Sequence, residues 1–538
     1  MNDPLFGGRI AAIARARPLS LSILAGLLLA AALPPFHVLP GILALAVPFW
    51  ILRSEPRSAR ALAATGLFAF AFALASLWWV AIAFWTDPTR WGALAAPAVL
   101  GLCLAYAATI LLCWSALRLL RRLPLALFGF LFALAWTASE LLRASPWLRF
   151  PWNPIASVWA FSDLTLSAVA VFGVATTGLV TVAGAVLAGS VLLYPQPWRT
   201  VGVAALLLLV AVPAAGGFRL VFLEDVPDTE VRVRLVQAGL GEHHGWQAER
   251  MEAWLRRHLE LTVAPPAEGP PRLVVWPESA IPYDLEPFDA SAELRAAIGR
   301  ALPAHAVLAA GADRFVQHER GYELTNSLYF LDPSGQVLDR YDKVDLVPFG
   351  EFLPFRRLLR RLGLRAFTAS SVDFQPGPGR RTLLLDSLPP LSPLICYEAA
   401  YAGRATDDSG RARLLLNVTN DGWFGTSPGP YQHFAMARMR AVETGLPLLR
   451  AANTGISAIV DGAGRVRASL ALGTVGVLDG VVPAALPPPP IARFPGLAVL
   501  AALAAGALCL FADVRAKPRL GTAAMASSMA IVRGESER

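Results

Sequence analysis

The sequence predicts two architectures in one chain: a polytopic α-helical membrane domain of about eight spans, and a layered α/β domain carried on the outer face. Composition is the first ground for this. The 538 residues are 55% hydrophobic and 16% charged, with a positive mean hydropathy, which is too apolar and charge-poor for an ordinary soluble protein. Distribution is the second: long apolar stretches crowd before residue 216 and recur once near the end. The intervening region is the third, because roughly 250 residues there alternate short strand patterns with helical ones and are enough for a substantial core.

Apolar stretches near the length that crosses a bilayer run over 18–34, 36–52, 61–85, 91–119, 124–142, 164–193 and 198–215, and an eighth over 492–512. Trp78, Trp79, Trp85 and Trp91 stand near predicted ends, where an interfacial belt of aromatics belongs. The first stretch reads as a span and not as a cleaved signal, since further spans follow at once and "LPPFHVLP" offers no convincing small-residue cleavage site.

Basic residues set the orientation. Arg9, Arg15 and Arg17 precede the first span, Arg53, Arg57 and Arg60 follow the second, Arg118, Arg121 and Arg122 follow the fourth, and Arg515, Lys517 and Arg519 follow the eighth. The loop after the first span has no Lys or Arg, and the one after the third has only Arg90. By the positive-inside rule both termini are cytoplasmic and seven crossings place residues 216–491 outside. The net charge of +8 then reflects topology and attraction to anionic lipid, and nothing in it suggests nucleic acid. Residues 143–163, rich in aromatics and prolines, are expected as an arm lying at the outer surface between the fifth and sixth spans.

The expected division is a seven-span bundle over 1–215, an outer domain over 216–486, a proline-rich spacer with the final span over 487–514, and a cytoplasmic tail over 515–538. Pro487–Pro490 reads as a stiff spacer. No internal repeat of fixed period is present.

Within the outer domain "VRVRLVQA" (231–238) alternates with period two and "QAERMEAWLRRHLELTV" (247–263) reads as an amphipathic helix. Strands are expected at 272–276 and 305–312, a helix near 291–302, and a hairpin over 326–344 turning on Pro333-Ser334-Gly335. Further strands are expected at 382–386, 391–397, 412–418, 448–452, 456–461, 465–471 and 475–482, with a helix over 431–444.

Cys396 is the one cysteine of the outer domain; Cys103, Cys113 and Cys509 all lie inside predicted spans. It therefore has no disulfide partner in its own domain although the outer compartment oxidises. An inert core thiol and an intermolecular disulfide are the alternatives to a nucleophile. Three stretches put ionisable side chains where a strand ends: "VVWPES" with Glu278, "DRYDKVDLVPFGE" with Lys343 and Glu351, and "LICYEAA" with Cys396 and Glu398. A carboxylate takes and returns the thiol proton, an ammonium lowers the thiol pKa and meets the developing oxyanion, and a thiolate forms the covalent intermediate. Spacing alone leaves Glu278 and Lys343 open to a plain surface ion pair.

"WPES", "YDKVDLVPFGEFLPF", "LICYE" and "NVTNDGWFG…QHFAMARMRAVETGLPLLRAANTG", in that order, resemble the nitrilase superfamily of carbon–nitrogen hydrolases. The added spans and the wording of these blocks look like its apolipoprotein N-acyltransferase branch, and the resemblance covers essentially the whole chain. It implies an αββα sandwich, a catalytic triad of Glu278, Lys343 and Cys396, and supporting roles for Glu351, Tyr397, Glu398 and Trp246 in "HHGW". It implies a phospholipid acyl donor, a thioester on Cys396, and a diacylglyceryl-modified apolipoprotein whose α-amine accepts the chain in a ping-pong order. The implied setting is the bacterial inner membrane, with the catalytic domain facing the periplasm. No cofactor and no metal is expected; His243 and His244 invite a metal but have no further ligand at proper spacing. A monomer with its own bundle suffices.

Fusion to eight spans has a physical logic, because a site free in solution would have to extract acyl chains at about 0.8 kcal/mol per methylene. The segment 346–367 mixes Phe349, Phe352, Phe355 and Phe367 with Arg356, Arg357, Arg360, Arg361 and Arg365, and is expected as an amphipathic arm at the lipid surface. Glu351 and Glu398 either orient Lys343 or pair with a buried arginine, and Trp246 either stacks on substrate or fills core. Two rivals are a membrane-tethered amide hydrolase with the same triad, and a transporter or sensor. Transport calls for ionisable residues within spans, where almost none but Glu140 is found.

Overall fold

The computed structural model describes residues 16–193, 199–223, 226–239, 248–266, 268–318, 321–354, 361 and 373–516. Five of its helical segments are long and apolar enough to cross a membrane: Ser58–Trp85, Pro88–Arg118, Leu125–Ala144, Val169–Ser190 and Val201–Val221. Pro18–Ala31, Leu39–Ser54 and Gly496–Leu508 are shorter apolar helices at the positions of the first, second and eighth expected spans. At 1.5 Å per residue the 14-residue Pro18–Ala31 helix falls well short of a bilayer's hydrocarbon thickness. Outward-facing Leu104, Leu112, Leu206, Leu207, Val499 and Leu503 give the bundle a lipid-compatible exterior, while Phe49, Phe68, Phe72, Trp114, Phe132 and Trp136 pack its centre.

The sixth expected span is interrupted. A single turn at Asp163–Leu166 precedes Val169–Leu193, and that helix kinks at Gly173, whose φ of 73° combined with ψ of 168° suits only a residue without a Cβ. Residues 143–163 lie at the surface only in part: Pro146, Trp147, Leu148 and Phe161 are exposed, and the rest turns inward. Glu140 Oε1 accepts the Ile155 amide at 2.7 Å, and Trp152, Asn153 and Ile155–Ala160 are buried between the bundle and the outer domain. The reason is that Glu140, inside an apolar helix, needs donors, and folding the arm inward supplies one. Trp79 likewise leaves the expected interfacial belt: it is buried, whereas Trp78 and Trp85 are exposed.

The outer domain holds two sheets. One has the order β11-β1-β2-β3-β4-β5, built from Gly476–Pro483, Asp228–Gln237, Leu273–Val275, Val307–His318, Gly321–Leu331 and Val337–Asp342. The other has the order β10-β9-β8-β7-β6, from Val466–Leu470, Ser457–Val460, Leu448–Ala452, Leu414–Thr419 and Leu391–Ile395. Val233, Leu235, Val275, Ala309 and Phe330 of the first sheet share one core with Ile395, Leu416, Val418 and Leu449 of the second. Alternate residues face outward, as strand geometry requires. Val236, Val274 and Leu308 meet Leu255 and Leu259 of helix Ala248–Val263 and Ile298 of helix Ala292–Gly299, while Leu394, Leu415 and Leu448 meet Ala437 and Ala441 of helix Pro428–Thr444. The layers are therefore αββα, as expected.

Local departures from the sequence reading are small. Residues 382–386 form no strand, only a bridge from Leu383 to Leu391, because the chain there covers the sheet edge without a second partner. β6 stops at Ile395, short of the expected 397, and the helix expected over 291–302 spans Ala292–Gly299. β3 runs on to His318 because it pairs antiparallel with β4 along its whole length.

One close approach in this sheet positions a functional side chain. The loop after β2 lies on β3, with the Gly311 amide donating to Pro277 O at 3.1 Å and the Ile281 amide donating to Gly311 O at 2.9 Å. A Cβ at Gly311 would stand 2.5 Å from Ser279 N and 2.7 Å from Glu278 Cα. Gly311→Ala is expected to cost about 1–3 kcal/mol of stability by overpacking, read as a lower midpoint in thermal unfolding of the full chain.

Candidate active site

Four strands deliver the site at their carboxyl ends, where open α/β sheets place ligands. β2 leads to Glu278, β5 to Lys343, β6 to Cys396 and β7 to Asn420. Glu278, Lys343 and Cys396 are all buried, with Lys343 only 1% exposed. Lys343 Nζ lies 3.0 Å from Glu278 Oε1 and 2.7 Å from Glu351 Oε1. Asn326 Nδ2 donates to Glu278 Oε1 at 2.8 Å and to Glu351 Oε1 at 3.3 Å, and so completes the bridge between the two carboxylates. The Asn420 amide donates to Glu278 Oε2 at 2.8 Å and the Val347 amide to Glu351 Oε2 at 2.8 Å.

Burial works against the Lys343 charge, but Glu278, Glu351 and Cys396 outweigh it and hold its pKa well above the ordinary value. Burial raises the Glu351 carboxyl, the charge of Glu278 adds to this, and Lys343 opposes both. Cys396 differs from the sequence expectation. Its thiol is pushed up from its ordinary value by burial first and by the Glu278 charge second; Lys343 and a hydrogen bond with Thr419 pull the other way without prevailing. Burial is the largest of these causes, and with the charges of Glu278 and Asp421 added to it the resting sulfur is a thiol.

The turn that carries Cys396 is strained. Cys396 follows β6 with φ of 49°, and Ser279 and Phe349, beside the other two functional loops, take φ of 52° and 64°. Such left-handed residues cost about 1–3 kcal/mol each and persist where their surroundings fix them. Glu398, fully buried, does much of this fixing. Its Oε2 accepts the Ile395 amide at 2.7 Å, and its Oε1 accepts the Val344 and Asp345 amides at 2.9 and 3.2 Å and the Tyr341 hydroxyl at 3.0 Å. Of the two roles open from sequence, Glu351 has the first, direct contact with Lys343. Glu398 has neither in pure form: it ties the backbone after Lys343 to the elbow, with Arg380 3.8 Å away.

Tyr397 reaches the bundle. Its hydroxyl donates to Arg149 O at 2.8 Å, and its ring stacks on Trp152 at 6.0 Å between centroids. Trp246, His243 and His244 lie outside the described residues, as does the segment 346–367 apart from 346–354 and Arg361. Among the described residues no group of three or more His, Cys, Asp and Glu could hold a metal ion.

Sequence reasoning passed over Asn326, Thr419, Asn420, Asp421, His433 and Arg450. The available signal was polar residues in strands otherwise apolar, such as Asn417 and Thr419 in "LLLNVT" and Arg450 in "LLRAA", since a buried polar side chain in a strand needs a partner.

Residues 232–486 match the carbon-nitrogen hydrolase family, and residues 25–187 match the apolipoprotein N-acyltransferase N-terminal domain. A protein of Rhodopseudomonas palustris named apolipoprotein N-acyltransferase is 36% identical over 512 residues, covering 90% of this chain and 93% of its own length. One of the same name from Brucella melitensis is 38% identical over 430 residues, covering 77% and 78%. Among solved structures, an amidase from Nesterenkonia is 19% identical with a TM-score of 0.33, covering 48% of this chain and 93% of its own.

A further carboxyl stands against the site. Asp313, opposite Asn326 in the β3–β4 ladder, accepts from the Ser279 hydroxyl at 3.4 Å. Its enclosure, and then the charges of Glu278 and Glu351, push it up to about 7. A carboxyl raised in the folded state contributes stability that is complete below its ordinary pKa and is lost as pH rises through about 7. Asp313→Asn is therefore expected to raise the unfolding midpoint at pH 8, with the gain shrinking toward pH 4, in thermal melts across that range.

Proposed function

The chain belongs to the apolipoprotein N-acyltransferase family, and we propose that it moves an acyl chain from a phospholipid to the N-terminal α-amine of a diacylglyceryl-modified apolipoprotein. The observation that carries this reading is the meeting of a thiol, an ammonium and two carboxylates in one buried site, beside which Tyr397 stacks on Trp152 of the segment between two bundle helices.

In the first half-reaction Cys396 Sγ attacks the ester carbonyl as Glu278 accepts the thiol proton. The carbonyl becomes an oxyanion beside the Lys343 ammonium and a backbone amide near Tyr397. Collapse expels the glyceryl oxygen, which takes the proton back from Glu278, leaving a thioester and a lysophospholipid. In the second half-reaction the acceptor amine attacks the thioester, Glu278 takes an amine proton, and Cys396 leaves and is reprotonated. Glu351 and Asn326 hold Lys343 and Glu278 in register throughout. Because the thiol is neutral at rest, deprotonation and attack belong to one event, and water does not meet a standing thiolate.

The reading also places the chain in a bacterial inner membrane, with the site on the periplasmic side and both termini cytoplasmic on the strength of the arginine distribution; a closed unit with its own bundle works as a monomer. It divides into a bundle over 1–215, a catalytic domain over 216–486, a spacer and final helix over 487–514 and a tail over 515–538. Hydrolysis of amides with the same triad is the competing reading. It is disfavoured by the match to the apolipoprotein N-acyltransferase N-terminal domain and by a bundle that soluble amides do not need.

Mass spectrometry of the protein after exposure to phospholipid without acceptor is expected to find one acyl group on Cys396, discharged when a diacylglyceryl peptide amine is added. Free fatty acid as the main product would favour hydrolysis. Cys396→Ala is expected to abolish the adduct. Glu278→Gln and Lys343→Met are each expected to slow its formation by at least about a hundredfold, the scale of removing a general base or an oxyanion cation.

A further inference from the structure

Behind the nucleophile lies a second polar network that the reaction above leaves unused. His433, on helix Pro428–Thr444, is fully buried, with Nε2 3.0 Å from Cys396 O and Nδ1 2.8 Å from Asp421 Oδ1. A carbonyl oxygen only accepts, so Nε2 carries a proton and donates it. Asp421 is gripped on its other oxygen by Arg450 Nη2 at 2.7 Å, and the Thr419 hydroxyl donates to Oδ1 at 3.1 Å. Arg450 is anchored in turn on Asn417 Oδ1 and, from Nε at 3.2 Å, on Ile456 O. Burial opposes the Asp421 charge, yet Arg450, His433 and Thr419 together bring its carboxyl down to about 2.

Removing charges from water costs several kcal/mol per ion unless every bond is made. Here the bonds converge on one point, the carbonyl of a residue with φ of 49°. That carbonyl belongs to a residue already past the end of β6, so His433 gives a buried acceptor its partner. The loop behind it serves the base as well. The Asn420 amide holds Glu278 Oε2, and Asp421 holds His433. Two consecutive residues thus fix Glu278 and the histidine relative to one another.

We propose that His433, oriented by Asp421 and Arg450, is a positioning residue that holds the left-handed Cys396 backbone so that its thiol faces Glu278 and Lys343. The inference rests on Cys396 being the acylated nucleophile. It acts through geometry on the acylation step, leaving phospholipid binding alone. A displacement near 1 Å at a reacting atom is enough to cost about a hundredfold in rate.

The test is rapid-quench mass spectrometry of acyl-Cys396 in the full-length protein over a range of phosphatidylethanolamine concentrations in detergent, scaled to the folded fraction by thermal unfolding. His433→Phe keeps the ring and removes the donor; it should slow acylation by about a hundredfold with half-saturation moved less than about threefold. His433→Gln, which restores an N–H donor, should recover at least tenfold of that loss. Asp421→Asn, which loosens the ring's far side, should slow acylation by about tenfold, and it decides the matter if the phenylalanine variant does not fold. Acylation at the wild-type rate per folded molecule in His433→Phe or Asp421→Asn, or no recovery with glutamine, would overturn the proposal. Cys396→Ala run in parallel separates the failures: acyl transfer persisting there sinks the parent reading, whereas a dead Cys396→Ala beside an unaffected His433→Phe sinks this one alone.

Discussion

An ammonium buried between two carboxylates is the constraint on which the rest of the site depends. Lys343 is 1% exposed and touches both Glu278 and Glu351, so three charges share a space that water does not fill. Such a cluster is tolerable only if each lone pair finds a donor, and Asn326 with the Asn420 and Val347 amides supplies them. Burial first, and the charge of Glu278 second, keep the Cys396 thiol beside this cluster protonated, with Lys343 opposing them without prevailing. A lone lysine beside the thiol would instead favour a standing thiolate, the form most open to oxidation.

The same geometry joins catalysis to the membrane. Neighbouring residues on helix Pro428–Thr444 look in two directions: His433 bonds the Cys396 carbonyl, and Gln432 accepts from Trp79 and Trp152 Nε1 at 3.2 and 3.0 Å while donating to Ser76 O at 3.3 Å. Tyr397, next to Cys396, closes the circuit through Arg149 O. The bundle is therefore part of the wall of the site. Displacing the 143–163 arm would loosen Tyr397 and Gln432 together, which makes a catalytic domain cut free of its helices a different object from the one described.

Much of this was legible in the sequence, and the reasons for success and failure differ. Apolar stretches announced the helices because a lipid-facing helix must be apolar along its whole length. Strand positions followed from alternation or from short apolar runs, and Glu278, Lys343 and Cys396 stood at strand ends where the structure brings them together. The inward fold of 143–163 was not legible, because its aromatics suit an interface or a core equally and only Glu140's need for a donor decides between them. The protonation of Cys396 was misjudged for a related reason. Lys343 was visible as a cation, but the weight of burial and of the Glu278 charge against it depends on distances that one dimension does not hold. His433, Asp421 and Arg450, separated by 12 and 17 residues along the chain, meet only once β7, β8 and the helix between them are stacked.

The central claim is that the sulfur is neutral at rest and is activated only when Glu278 takes its proton. Mass-mapped alkylation of Cys396 by iodoacetamide across pH tests it most directly, because slow access scales the rate without moving its pH dependence. The account predicts a rate still climbing at the alkaline end of the range, above the ordinary thiol pKa. A rate that levels off below neutral pH would show a standing thiolate and contradict it.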